Sequence, residues 1–131
     1  MSTRHRILCV DDSIDLSEMI LRMLSLEPDL EPVGSLHSAE HLVQEIEAKL
    51  PDIALLDLTM PGRDPLDALR ELTAQQSACK VIVMSGYDDP QTVATAMDAG
   101  AWGFVSKHQE IPALIKAIRT VASGSIAIPG R

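Results

Sequence analysis

Positive charge is scarce in this chain. Eleven Lys and Arg stand against 19 Asp and Glu, a formal net charge of −8 over 131 residues. Such a surface is a poor match for a phosphate backbone, so direct DNA or RNA binding by this chain is not expected. Cysteine is scarce too. Cys9 and Cys79 are the only two, with no CxxC or zinc spacing. Both lie in or beside apolar runs and read as buried small hydrophobes in a reducing compartment. Long apolar runs are missing altogether. The polar start "MSTRHR" leads into only four apolar residues, which is no signal peptide. Nothing nears the roughly 18 residues of a membrane span, so a cytoplasmic protein away from the membrane is expected. Aromatics are scarce as well. Tyr87, Trp102 and Phe104 are the full set, all within 18 positions of one another.

What is present suffices for one domain. The hydrophobic share is 46% and the charged share 23%, the balance of an ordinary globular chain. Short apolar runs alternate with helical patterns. "ILCV" (7–10), "IALLDL" (53–58), "VIVM" (81–84) and "GFVS" (103–106) are continuous, as in strands buried on both faces. "LEPVGSL" (30–36) carries Pro32 and Gly34 and reads as an edge strand. Helical stripes lie between: Leu16, Met19, Ile20, Met23, Leu24; Leu42, Ile46, Leu50; and Ile111, Leu114, Ile115, Ile118, Ala122. Asp64-Pro65 and Asp89-Pro90 pair an N-cap acceptor with a proline at the first helical position, and Gly100 stands where a helix needs a left-handed end. Five strand–helix units in order imply a parallel sheet with helices on both faces. The boundaries expected are a flexible start at 1–4, a folded unit at 5–124, and a tail or linker beginning at 125–131.

Ligands of such a sheet bind beyond the carboxyl ends of its strands. Asp11 and Asp12 follow the first run, Asp57 ends the third, Ser85 the fourth, and Lys107 follows the fifth. Each alone has a bland explanation. Asp12 or Ser13 could cap a helix, Asp57 could be a turn acid before Met60-Pro61-Gly62, and Lys107 could be a solvated lysine. Together they make three carboxylates, a hydroxyl and an ammonium on one rim. Three crowded carboxylates call for a hard cation with oxygen ligands, which suits Mg2+ and a phosphate partner. An ion, a lysine and a hydroxyl around one carboxylate are the parts that stabilise a transferring phosphoryl group. Asp57 would then be the nucleophile of an aspartyl phosphate.

The motifs "VDDS", "LLDLTMPG", "VIVMSG" and "GFVSK" resemble those of bacterial response-regulator receiver domains, over about residues 5 to 124. The resemblance implies a flavodoxin-like α/β fold with a five-stranded parallel sheet in the order 2-1-3-4-5. It implies an acceptor more than an enzyme, with self-catalysed phosphorylation and dephosphorylation at Asp57 and a sensor histidine kinase as donor. Asp12 and Asp57 would bind Mg2+ directly with the Thr59 backbone carbonyl, and Asp11 through water. Lys107 would pair with the phosphoryl group, Ser85 would turn to it, and Phe104 would follow Ser85 as the switch aromatic. The readout would lie on the face of the fourth helix, fifth strand and fifth helix. His108 stands where the family often has proline. That and "AGAWGFVSK" resemble the subfamily preceding a LuxR-type helix-turn-helix domain, so a C-terminal DNA-binding output domain outside this chain, transcription control and a homodimer are expected.

The family usually has a polar residue at Trp102. Trp102 and Phe104 should share a face by period two, and Trp102 is expected to be partly exposed as a partner anchor, against the alternative of extra core. His37 and His41 lack a third ligand, and His5 and His108 read as surface residues. Other readings are a receiver-fold interaction module without phosphorylation, an aspartyl-phosphate phosphatase, and a flavin carrier. Thr59 stands where the phosphatase needs its second acid, and the loop after the first strand lacks a phosphate-binding composition.

Overall fold

The computed structural model describes residues 4–129. The expected flexible start therefore lies, apart from Arg4, outside the described residues, as do the last two positions of the tail. Five strands form one parallel sheet: β1 (His5–Val10), β2 (Leu30–Leu36), β3 (Ile53–Asp57), β4 (Lys80–Ser85) and β5 (Gly103–Ser106), in the order β2-β1-β3-β4-β5. Five helices alternate with them: α1 (Ile14–Ser25), α2 (Leu42–Lys49), α3 (Pro65–Ala74), α4 (Pro90–Asp98) and α5 (Ile111–Ala122). The flavodoxin-like order expected above is the one observed.

The middles of β1, β3, β4 and β5 are continuously apolar because both faces of the sheet are covered. Leu8, Val10, Ala54, Leu56, Val81, Val83 and Phe104 meet α2, α3 and α4. Ile7, Cys9, Ile53, Leu55, Ile82, Met84 and Val105 meet α1 and α5 on the other side. β2 is the edge strand that its composition suggested. Pro32 offers no donor, and the register with β1 slips between Ile7 and Leu8, skipping Val33.

Helix starts obey their caps. Ser13 accepts the Leu16 N–H, Asp64 that of Leu66 and Asp89 that of Thr92. α4 ends as expected at Gly100, with φ +112°. The Gly100 and Ala101 N–H groups donate to Met97 and Ala96, and the Thr73 hydroxyl donates to Ala99 O. A side chain at Gly100 would run into Thr73 as well.

Several expectations need correction. Met19 is exposed, because α1 packs through Ser17, Ile20 and Leu24, a face rotated from the apolar stripe. Leu50 is outside α2 in a left-handed C-terminal turn and 72% exposed, since Pro51 bars a further helical turn; Val43 takes its place in the core. Leu58 lies just past β3. Trp102 precedes β5 and packs with the α1/α5 cluster, whereas Phe104 lies in the opposite one, so the two rings do not share a face. The expected tail or linker beginning at 125–131 makes one contact with the sheet. Ala127 forms a parallel bridge with Gly103.

Candidate functional site

Because all strands are parallel, their carboxyl ends share a rim, and the acidic residues that follow β1 and end β3 arrive there side by side. One local device finishes four strands. Side-chain oxygens of Asp11, Asp57, Ser85 and Ser106 accept the backbone N–H two residues on, from Ser13 (2.8 Å), Thr59 (3.0 Å), Tyr87 (3.0 Å) and His108 (3.2 Å). Short polar side chains form such turns readily. In the two acids the turn engages Oδ1 and leaves Oδ2 free.

Those Oδ2 atoms set the character of the site. Both are buried and without a hydrogen bond. The Lys107 ammonium is the ion-pair partner of both, 2.8 Å from Asp11 Oδ2 and 3.1 Å from Asp57 Oδ2. Asp12 is exposed, yet one oxygen each from Asp11, Asp12 and Asp57 fall within 4.8 Å of one another. Three carboxylates and one ammonium leave two negative charges uncompensated in a largely buried corner. A divalent ion with oxygen ligands fits this set in charge and in donor chemistry.

Protonation follows the same balance. Burial pushes the Asp57 carboxyl up; Asp11 adds to the rise, while the Thr59 N–H and Lys107 oppose it. Burial works against the Lys107 ammonium, but Asp11 and Asp57 outweigh it and hold the proton more tightly than usual. Cys9 and Cys79 are pushed up to about 12, chiefly by burial, and are protonated thiols at neutral pH, in keeping with their reading as small core residues.

The structure thus brings together Asp11, Asp12, Asp57 and Lys107, with Ser85 ending the next strand, 1% exposed. Thr59 and Tyr87 are exposed beside them. Phe104 is 2% exposed, its ring already in the core. Trp102 is remote from the rim, half-buried at the amino end of β5, with the Lys80 ammonium 4.7 Å from its ring centre. Four supporting residues were not anticipated. Ser106 forms the fourth turn; its only sequence signal is a hydroxyl just before the lysine. Ser17 Oγ donates to Asp11 O at 3.3 Å, and His37 Nδ1 lies 3.0 Å from the same carbonyl. His108 is exposed as expected, yet its Nε2 lies 3.0 Å from Gly86 O, joining the loops after β5 and β4. His5 is half-buried at the start of β1 and not a free surface residue.

Residues 7–119 match the family model of the response regulator receiver domain. The chain belongs to that family. It is 33% identical over 123 residues to the transcriptional regulatory protein DegU of Brevibacillus brevis, covering 94% of this chain and 52% of the relative. It is 32% identical over 122 residues to the nitrate/nitrite response regulator protein NarL of Escherichia coli K12, with coverage of 93% and 56%. The receiver thus spans about half the length of the curated relatives it matches. Among solved structures, the signal receiver domain of the putative response regulator NarL from Mycobacterium tuberculosis superposes with a TM-score of 0.88 at 31% identity, covering 93% of this chain and 98% of that one. A LuxR-family two-component response regulator from Aurantimonas sp. gives 0.91 at 26% identity, with coverage of 98% and 91%.

Proposed function

We propose that Asp57 is the phosphoryl acceptor of this receiver, taking the group from a phosphohistidine of a sensor kinase in a Mg2+-dependent reaction. The observation that carries this reading is the Asp57 carboxylate itself, buried at the rim with one oxygen unbonded and faced by a cation and two more acids. In the transfer a carboxylate oxygen of Asp57 forms an O–P bond while the N–P bond of the donor breaks, and the leaving imidazole takes a proton. Asp12, Asp57 and the Thr59 carbonyl would hold the ion directly, with Asp11 through water; bound there, it supplies charge neutralisation for the phosphoryl oxygens. Lys107 pairs with the incoming phosphoryl oxygens in place of the carboxylates it now faces. Ser85 gives up its turn to Tyr87 and donates its hydroxyl to the same group, with Phe104 as the aromatic behind it. Water attack on phosphorus later releases phosphate and restores the carboxylate, so both half-reactions rest on these side chains.

A phosphoryl group adds roughly −1.5 to −2 charges at neutral pH. It therefore biases the receiver toward the arrangement with the better hydroxyl and ammonium contacts, read out on the α4–β5–α5 face. The receiver unit is assigned to 5–124. The relative named as a transcriptional regulatory protein supports an output in transcription control, which we assign to a DNA-binding domain outside this chain and to the cytoplasm. That role suits a partner segment better than this acidic chain.

The test is beryllofluoride with Mg2+, a phosphoryl mimic, added to wild type and to Asp57→Asn and followed by NMR and by sizing. Wild type should shift at Asp57, Ser85 and Lys107 while the variant stays unchanged. A response that persists in the variant contradicts the acceptor assignment.

A further inference from the structure

β5 is the outermost strand on its side of the sheet, four residues long, with β4 as its one neighbouring strand. A strand so short and paired with one strand only is held by few ladder bonds. Yet it supplies the site's cation. Lys107 follows it by one residue, with its N–H on Ser85 O at 2.8 Å and its ammonium on Asp11 and Asp57.

The outer edge of β5 is held by the chain's own tail. The Ala127 N–H donates to Trp102 O at 3.1 Å, and Ala127 O accepts the Phe104 N–H at 2.8 Å. This is a one-residue parallel bridge opposite Gly103. Gly103 permits the approach, since a Cβ there would stand 3.1 Å from Ala127 O and 3.3 Å from the Ile82 and Val121 side chains. The chain is turned back from α5 by Ser125 N–H to Thr120 O and by Gly124 at φ +94°. Ile128 then borders a cleft with Phe104, Gln109, Ala113 and Lys116. The bridge thus grips the backbone of Phe104, three residues from Lys107, on the strand whose ring is already in the core.

We propose that the tail segment around Ala127 is a positioning clip: by pinning Trp102 and Phe104 it fixes β5 where Lys107 reaches the acceptor site. The proposal rests on the reading of Asp57 as acceptor. The clip preorganises the site, so its loss weakens binding of a phosphoryl group or its mimic. Coupling between two sites is reciprocal, so an occupied site in turn holds the tail more firmly on β5.

The test uses the full chain with Ala127→Pro, which deletes the donor to Trp102, beside Ala127→Ser, which keeps the backbone bonds. A chain ending at Gly124 removes the clip in case the proline variant misfolds. Beryllofluoride with Mg2+ is titrated against the Ser85 and Thr59 amide signals, and hydrogen exchange is read at the Phe104 and Ala127 amides. Affinity for the mimic should fall by about 5-fold or more in Ala127→Pro and in the shortened chain. It should remain at the wild-type value in Ala127→Ser, and in wild type the two amides should exchange more slowly once the mimic binds. A responsive wild type with unchanged affinity in both clip variants overturns the clip alone. A wild type blind to the mimic removes the acceptor reading, and the clip's role falls with it.

Discussion

Asp57 keeps its proton to higher pH than an ordinary aspartate, because burial, and then Asp11, act against its charge more strongly than the Thr59 N–H and Lys107 favour it. The folded chain therefore binds this proton where the unfolded chain has lost it. Stability contributed by Asp57 is greatest below the usual value of 3.8 and declines as pH rises from there through the raised value. Asp57→Asn removes that decline. In the unliganded protein the variant should be more stable at neutral pH, because the amide puts no second buried charge beside Asp11. Denaturant unfolding of both proteins across pH checks this; curves that stay parallel through the acid range would show that Asp57 is not strained. Lys107 has the same sign in a higher pH range. Its raised value means that its stabilisation is complete below the ordinary lysine range and is lost only as pH climbs past it.

At the scale of an element, the α4–β5 connection is specified twice. Gly100 must adopt φ +112°, and it must also leave room for Thr73, whose hydroxyl holds the Ala99 carbonyl. Gly100→Ala should cost about 2 kcal/mol or more, through both strain and overlap. Adding Thr73→Ala removes the hydroxyl and methyl but keeps a Cβ 2.9 Å away, and it leaves the strain, so the double variant should recover only part of the loss. Full recovery in thermal melts would mean that the backbone conformation is not limiting. Trp102 belongs to this scale as well. We propose it as a partner anchor: its ring is half-buried with Lys80 over it, at the rim opposite the acidic site. Trp102→Ala should weaken self-association or partner binding in sedimentation and leave Asp57 phosphorylation intact. A loss of melting temperature alone would assign the ring to the core.

At the scale of the whole molecule, an excess of negative charge is concentrated where two neighbouring strands, β1 and β3, end. Mg2+ should raise the melting temperature progressively with concentration, since an ion that binds the folded state stabilises it by mass action. Asp12→Ala should blunt that rise while leaving the fold in place, because Asp12 is exposed and supports no packing. A Mg2+ response of equal size in the variant would remove Asp12 from the ion's ligands. Among the described residues no helix is long and apolar enough to cross a membrane.

The sequence by itself determined the order of strands and helices, the caps at Asp64 and Asp89, the turn at Gly100 and the rim that gathers Asp11, Asp12, Asp57 and Lys107. These depend on local pattern, and a parallel sheet converts strand-end position into proximity without further information. Tertiary structure alone decided the rest. Leu50 and Met19 are as apolar as their neighbours, but helix rotation and Pro51 turned them outward. Trp102 parted from Phe104 because period two holds only inside a strand, and Trp102 stops one residue short of it. The contacts of His37 with Asp11, and of Ala127 with β5, join residues far apart in the chain. No local periodicity encodes such pairs; they exist because packing closes the layers around them.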